Sequence, residues 1–336
     1  MESKEKVSVR ERVITFFKGL WIGGSLSVPG VSGGSMAMIL GIYDKMIFSL
    51  NSLFKSNKDK KINKLENFLF LLEAGGGAII GLFTLYKLIS FLMLTFGIQM
   101  SFFFVGTVAG GIPLIFKAAE VAKARFSDFV WIALGIAAVV GLMFLPEGLF
   151  TGGNVAIKIL GGVIAAAALV LPGISVSQML LTMGLYTFVY DSASKLDIVP
   201  LIPFGIGLVL GVVATSGGME VLMKKCKRQT YLAVMGFVIG SVGGLVKDAL
   251  GRIISAASTD GKGECFKNIL GEVAKFESED GGMVVVRTAS QLEEYGFIMK
   301  DDLTVAVWIV CGLLAVAGFV AVYTLSVLED KKSSNK

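Results

Sequence analysis

Two short runs hold the residues whose types and spacing suit ligand binding. VPGVSGGSMAMILGIYD (Val28–Asp44) and LPGISVSQMLLTMGLYT (Leu171–Thr187) align without a gap, 143 residues apart. Pro29/Pro172, Gly30/Gly173, Ser32/Ser175, Met36/Met179, Gly41/Gly184 and Tyr43/Tyr186 are identical. Pro-Gly stops a helix, and the serine that follows is placed to N-cap a new half-helix. A helix start leaves about four backbone N–H groups without intrahelical partners and carries roughly +0.5 of an elementary charge. Gly33 and Gly34 have no side chains to keep an anion away, and Ser35, Ser175 and Ser177 add hydroxyl donors. The chemistry predicted is non-covalent: an anion or phosphate cradle. Pro29 and Pro172 would be its helix breaks, and Gly30, Ser32, Gly33, Gly34, Ser35, Gly173, Ser175 and Ser177 its binding groups. The alternative use of such residues is close helix packing.

Ionisable side chains within apolar stretches are the next candidates. Glu73, Lys87, Lys158 and Glu220 are of this kind, and Asp44-Lys45 ends the first run. Lys45 or Lys87 could complement a phosphate, and Glu73 or Glu220 could carry a coupling proton. Snorkelling from a helix end is the alternative for each. Tyr43 and Tyr186 are candidate substrate contacts or interfacial anchors. No catalytic residue, metal site or cofactor is predicted. The chain lacks histidine, and Cys226, Cys265 and Cys311 fall in unrelated segments without a CxxC pair.

The elements that must position these residues are membrane helices. Of 336 residues, 54% are hydrophobic, 17% are charged and 42 are glycine, with a mean hydropathy of +0.76. Soluble domains carry roughly 25% charged residues, so a soluble enzyme is excluded. Stretches close to the ~20 apolar residues of a spanning helix lie at 67–95, 101–116, 129–145, 199–223, 231–246 and 303–328. Two longer apolar stretches, 13–50 and 155–190, are cut by Pro-Gly. The basic N-terminus is not followed by a small-residue cleavage site, so no cleavable leader is expected.

Lys and Arg cluster at both termini, in Lys55–Lys64, in Lys117–Arg125 and in Lys224–Arg228, while 96–100 and 146–154 contain none. If each Pro-Gly stretch enters and leaves on one side as a re-entrant hairpin, every basic loop falls inside. Both termini are then cytoplasmic. The net charge of +5 thereby sets orientation in the bilayer and points to no nucleic-acid partner. The segment 251–302, with six Lys/Arg and ten Asp/Glu, becomes an extracytoplasmic insertion in which Met283–Thr288 could form a strand.

Gly77, Gly81, Gly106 and Gly110 also match Gly207, Gly211, Gly236 and Gly240, at a separation of 130. Their small-xxx-small spacing predicts helix-packing seams. The expected fold is an all-α polytopic membrane protein of two repeats, 1–153 and 154–336. Each repeat is a Pro-Gly-broken hairpin plus three spans. Three is odd, so the second repeat would enter from the opposite face, an inverted topology used by many secondary transporters.

VPGVSGGS…GIY (Val28–Tyr43) and LPGIS…GLY (Leu171–Tyr186) resemble the PopT family of polyprenyl-phosphate translocases, over roughly residues 10–250 and 303–328. The resemblance implies a prokaryotic cytoplasmic-membrane flippase that returns undecaprenyl phosphate to the inner leaflet for peptidoglycan and other envelope polymers. It implies Gly30, Ser32, Gly33, Gly34 and Ser35, with Pro172, Gly173, Ser175 and Ser177, as phosphate-binding positions. Leu26 stands where the family pattern has an acid, and Val176-Ser177-Gln178 where it has Gly-Ser-Phe. The lipid tail would stay in the bilayer, and alternating access would come from one repeat rocking against the other. The coupling ion stays open between proton and sodium, and a homo-oligomer is compatible with the sequence. Two other readings remain at this stage: a transporter or channel for a small soluble anion, and a polyprenyl-pyrophosphate phosphatase.

Overall fold

The computed structural model describes residues 8–26, 28, 31–54, 63–121, 123–145, 148, 154–195, 197–259, 263–277 and 283–334. All six expected spans are helical. They are α4 (Lys64–Thr95), the nearly continuous α5 (Gly97–Ala109) and α6 (Ile112–Ala118), α7 (Phe126–Met143), α11 (Ile202–Lys225), α12 (Lys227–Gly251) and α14 (Val305–Ser334). Local chemistry starts them: Asn63 accepts from the Glu66 N–H ahead of α4, and Asp128 folds back onto the Arg125 N–H at the head of α7. Pro113 sits in the first turn of α6, where a missing N–H costs nothing. Ile79, Phe83 and Phe91 on α4 and Leu313, Val316 and Val320 on α14 are exposed. Apolar exposure along whole helices suits a lipid surround.

The remaining helices build two hairpins. α1 (Val9–Ser25), α2 (Gly33–Ile39) and α3 (Tyr43–Phe54) form the first, and α8 (Val155–Val170), α9 (Val176–Met183) and α10 (Tyr186–Ser194) the second. α1 packs on α4 and α8 on α11, through glycines that leave no room for a side chain. A methyl at Gly77 would stand 2.2 Å from the Phe16 carbonyl oxygen, and one at Gly81 2.0 Å from that of Leu20. In the other half, Gly207 meets Ile159 at 1.9 Å and Gly211 meets Val163 at 2.7 Å. These partners keep the separations of 130 and 143 residues found in the sequence.

The third spans cross over. α7 packs on α12 and α14 on α5. Gly236 lies against Ile132 and Gly135 against Ala233; Gly106 lies against Ala315 and Gly318 against Phe103. The matched glycine rows are therefore packing seams with equivalent partners in both halves. Each half contributes one helix to a seam of the other.

Residues 253–302 add a small β module to the helical membrane part. Strands β1 (Ile253–Thr259), β2 (Glu264–Asn268) and β5 (Ile298–Met299) form a sheet of order β2-β1-β5, antiparallel then parallel. β3 (Lys275–Glu277) and β4 (Met283–Val285) pair as a hairpin, so the expected strand is present, and α13 (Ala289–Glu294) follows. Ile254, Ala274, Val286 and Leu292 form the module's own core. It docks where α4 ends. Gly296, at φ +71°, leaves a methyl only 2.5 Å from the Met93 carbonyl oxygen, and Lys247 of α12 pairs with Glu272 at 2.9 Å.

Candidate functional site

Both hairpins follow one backbone path. α2 returns antiparallel to α1: Gly33 lies beside Ile22 and Leu26, and Lys18 Nζ donates to the Leu40 carbonyl at 2.7 Å. Gly41, at φ +66°, then ends α2, with the Gly41 and Ile42 N–H groups donating to Met38 and Ala37, each at 3.0 Å. This is a Schellman closure, which needs the left-handed conformation glycine tolerates. Gly184, at φ +70°, repeats it, with Gly184 and Leu185 donating to Leu181 and Leu180 at 2.9 Å. The expected hairpin 13–50 has a return arm of only seven residues before the chain bends by 119° into α3. The left-handed glycine forces that bend. Pro29 and Gly30 lie outside the described residues.

The start of α2 is buried and unclosed. Ser32 occupies its N-cap in an extended conformation, yet its side chain accepts no capping bond. Ser32 Oγ is 3% exposed as a residue and is the buried side-chain oxygen without a partner among the described residues. A buried unpaired hydroxyl is costly, so such a group calls for an explanation. The N–H groups of Gly33, Gly34 and Ser35 open the helix, the positions whose donors have no intrahelical acceptor. Together with the Ser32 hydroxyl they place four donors at one helix start.

The second copy is built differently. Ser175 caps its own helix, accepting from the Gln178 N–H at 3.4 Å, and Ser177 is exposed. Gly173 stands at φ +83° after Pro172, with the Phe237 carbonyl oxygen 2.5 Å from any added methyl. The two motifs touch. The Gly173 N–H donates to Ser35 Oγ at 2.7 Å, and a methyl on Gly34 would meet Leu171 O and Pro172 N at 3.1 Å. The buried Tyr43 hydroxyl donates to the Val170 carbonyl at 2.9 Å, fixing the end of α8 against the start of α3. Tyr186 is half-buried and stacks on Tyr190.

The predicted ionisable residues lie in separate surroundings. Glu73 pairs with Arg12 at 3.6 Å, Lys45 lies over the Phe70 ring, Lys158 lies over Phe188, and Lys87 is exposed on α4. Glu220 is buried and bonded to Lys224 at 2.5 Å and to Asn51. Sequence reasoning did not single out Asn51, Asn67 or Tyr231. Tyr231 donates to Asp44 at 2.5 Å, and Asn67 donates to Ser52 at 2.9 Å within a buried set that includes Ser49. Their signal was present as amides or a phenol near the ends of apolar stretches, but it resembles that of ordinary anchors.

A family model described as VCA0040-like, undecaprenyl phosphate translocase-like, matches residues 22–257. A polyprenyl-phosphate transporter of Vibrio cholerae serotype O1 is 30% identical over 235 residues, covering 68% of this chain and 75% of the relative. One of Staphylococcus aureus is 29% identical over 245 residues, covering 68% and 84% respectively. No solved structure matches the chain. The family match ends inside β1, so the rest of the β module lies outside it.

Proposed function

The chain belongs to the undecaprenyl phosphate translocase-like family, and on that premise we propose that it flips undecaprenyl phosphate from the outer to the inner leaflet. The lipid would then serve again in envelope polymer synthesis. The phosphate is held at the start of α2 by the Ser32 hydroxyl and the Gly33, Gly34 and Ser35 N–H groups. The observation carrying this reading is the buried, unpaired Ser32 Oγ at an uncapped helix start. An anion there would satisfy the hydroxyl and lie at the positive end of the helix. Gly173 contributes by docking on Ser35, and Ser175 by shaping α9.

The positive-inside rule makes the basic helix ends cytoplasmic, with both termini inside a prokaryotic cytoplasmic membrane. An inverted relation between 1–153 and 154–336 is supported by the direction of the hairpins. α1 starts at the basic end beside the start of α4, and α8 starts at the opposite end beside the start of α11. No bond to the substrate is made or broken in this mechanism. Glu73 and Glu220 are each already paired with a cation, so a coupling proton or sodium binding either would have to displace Arg12 or Lys224.

Liposomes containing the purified protein and a labelled polyprenyl phosphate test the proposal through leaflet accessibility under imposed pH and sodium gradients. Wild-type protein should equilibrate the label, and Ser32→Trp, eluting as the wild type does, should not. Wild-type rates in that variant would sink the cradle. Movement of free phosphate without the lipid would favour the small-anion reading.

A further inference from the structure

We propose that α3 is a gate at the basic end of the molecule and that the structure has it shut; the inference rests on the transport reading above. Among the described residues, the hydrogen-bond and cation–π partners of α3 on α4, α11 and α12 sit near the basic ends of their helices. Asn67 and Phe70 follow the start of α4, Glu220 and Lys224 precede the end of α11, and Tyr231 follows the start of α12. At 1.5 Å per residue these positions lie within about 10 Å of the helix ends. α3 therefore crosses the ends of three spans. The seven-residue α2 separates it from Ser32, so the cradle has α3 between it and the basic end.

Beside the Tyr43–Val170 bond that pins the start of α3 to α8, the bonds of α3 to the spans divide into a mooring and a latch. Within the first half, Ser49 and Ser52, both fully buried, join Asn67 of α4. Across to the second half, Asn51 Nδ2 donates to Glu220 and the Tyr231 hydroxyl donates to Asp44. Both latch bonds end on acidic side chains, and Lys224 Nζ also lies 2.5 Å from Glu220. The mirrored helix α10 has no buried residue among those described, and Thr187 and Phe188 replace Asp44 and Lys45. Lys158 lies over the Phe188 ring at 4.0 Å, and Tyr186, Phe188 and Val189 pack on the core of the second hairpin. The basic end is thus closed by a polar latch between the halves. Passage of the phosphate to the basic end requires α3 to release α11 and α12 while staying moored to α4.

In a Cys226→Ser background, Asn51→Cys with Gly217→Cys puts two thiols across the α3–α11 contact. A methyl at Gly217 has Asn51 Oδ1 at 3.5 Å as its nearest neighbour. Oxidation should cross-link the pair, and the cross-linked protein should move labelled polyprenyl phosphate at least about tenfold more slowly than after reduction. Failure to cross-link in protein that elutes as the wild type does, or equal rates in both states, overturns the gate. Protein that moves no lipid even when reduced, alongside an inactive wild type, counts against the transport reading instead. A transport-independent readout then decides the gate. Met38→Cys, buried beside Met219 and Tyr231, should react with maleimide about fivefold faster when Asn51→Ala is added. An unchanged labelling rate overturns the gate whatever the transport result.

Discussion

The two hairpins share a motif, a left-handed glycine closure and the same glycine seams, yet they differ in how their second helices are capped and in how deeply their last helices are buried. Identical positions (Pro, Gly, Ser, Met, Gly, Tyr) set the common path of the chain. The substituted positions set the chemistry. Gly33, Gly34 and Ser35 leave a helix start bare, whereas Val176, Ser177 and Gln178 accompany a serine that caps itself. Asp44 bonds to Tyr231, and its counterpart is the shorter Thr187. A duplicated fold has kept its geometry in both copies and concentrated its donors in one.

The largest expected effect tests where the copies should agree. Gly77→Val and Gly207→Val each drive a side chain into a backbone carbonyl about 2 Å away. Each should cost more than about 3 kcal/mol and abolish recovery of monodisperse protein. A tolerant second seam would break the equivalence. Next, Gly34→Val should reduce lipid transport at least about tenfold, because the only room is against the Leu171–Pro172 backbone; Ser177→Val, on an exposed counterpart, should stay within about twofold.

A subtler contrast separates stability from binding. Ser32→Ala removes an unpaired hydroxyl and should leave the melting temperature unchanged or raised, while weakening phosphate-lipid binding by about 1.5–3 kcal/mol. Ser175→Ala removes a cap and should lower stability by about 1 kcal/mol with transport retained. Thermal unfolding and lipid titration on the same two proteins check both halves of the statement. Smallest is Tyr43→Phe, which leaves the buried Val170 carbonyl without its donor. A loss of about 1 kcal/mol in unfolding free energy is expected, with the cross-half contact loosened before the fold.

The spans were legible because a bilayer requires long apolar runs, and the hairpins because Pro-Gly and a repeated Gly-Leu/Ile-Tyr leave few other paths. The seams were legible only as spacing. That Gly77 meets Phe16 depends on how α1 lies against α4, and the equivalence of Gly135 with Gly318 is hidden by the insertion between α12 and α14. Ser32, Gly33 and Gly34 do meet at one buried helix start, as their spacing suggested. Ser35 and Gly173 are 138 residues apart in the chain and bonded in the fold, a pairing that no local pattern carries. Lys45 and Lys87 illustrate the opposite limit, since a cation in an apolar stretch is as well served by a ring or by the helix surface.

The crossed third spans have a mechanical consequence. Each half lends a helix to the other, α7 to α12 and α14 to α5, and at Gly236 and Gly106 the added methyl would stand about 2 Å from the facing backbone. Two clasped hands cannot rock as separate blocks without opening both grips at once. Rotation of 1–153 against 154–336 as rigid bodies would have to part both seams at these glycines. Motion that keeps both seams closed would leave the four clasped helices as a frame. The pairs α1–α4 and α8–α11, each zipped by its own glycines and carrying its own hairpin, are the leaves that can swing on it.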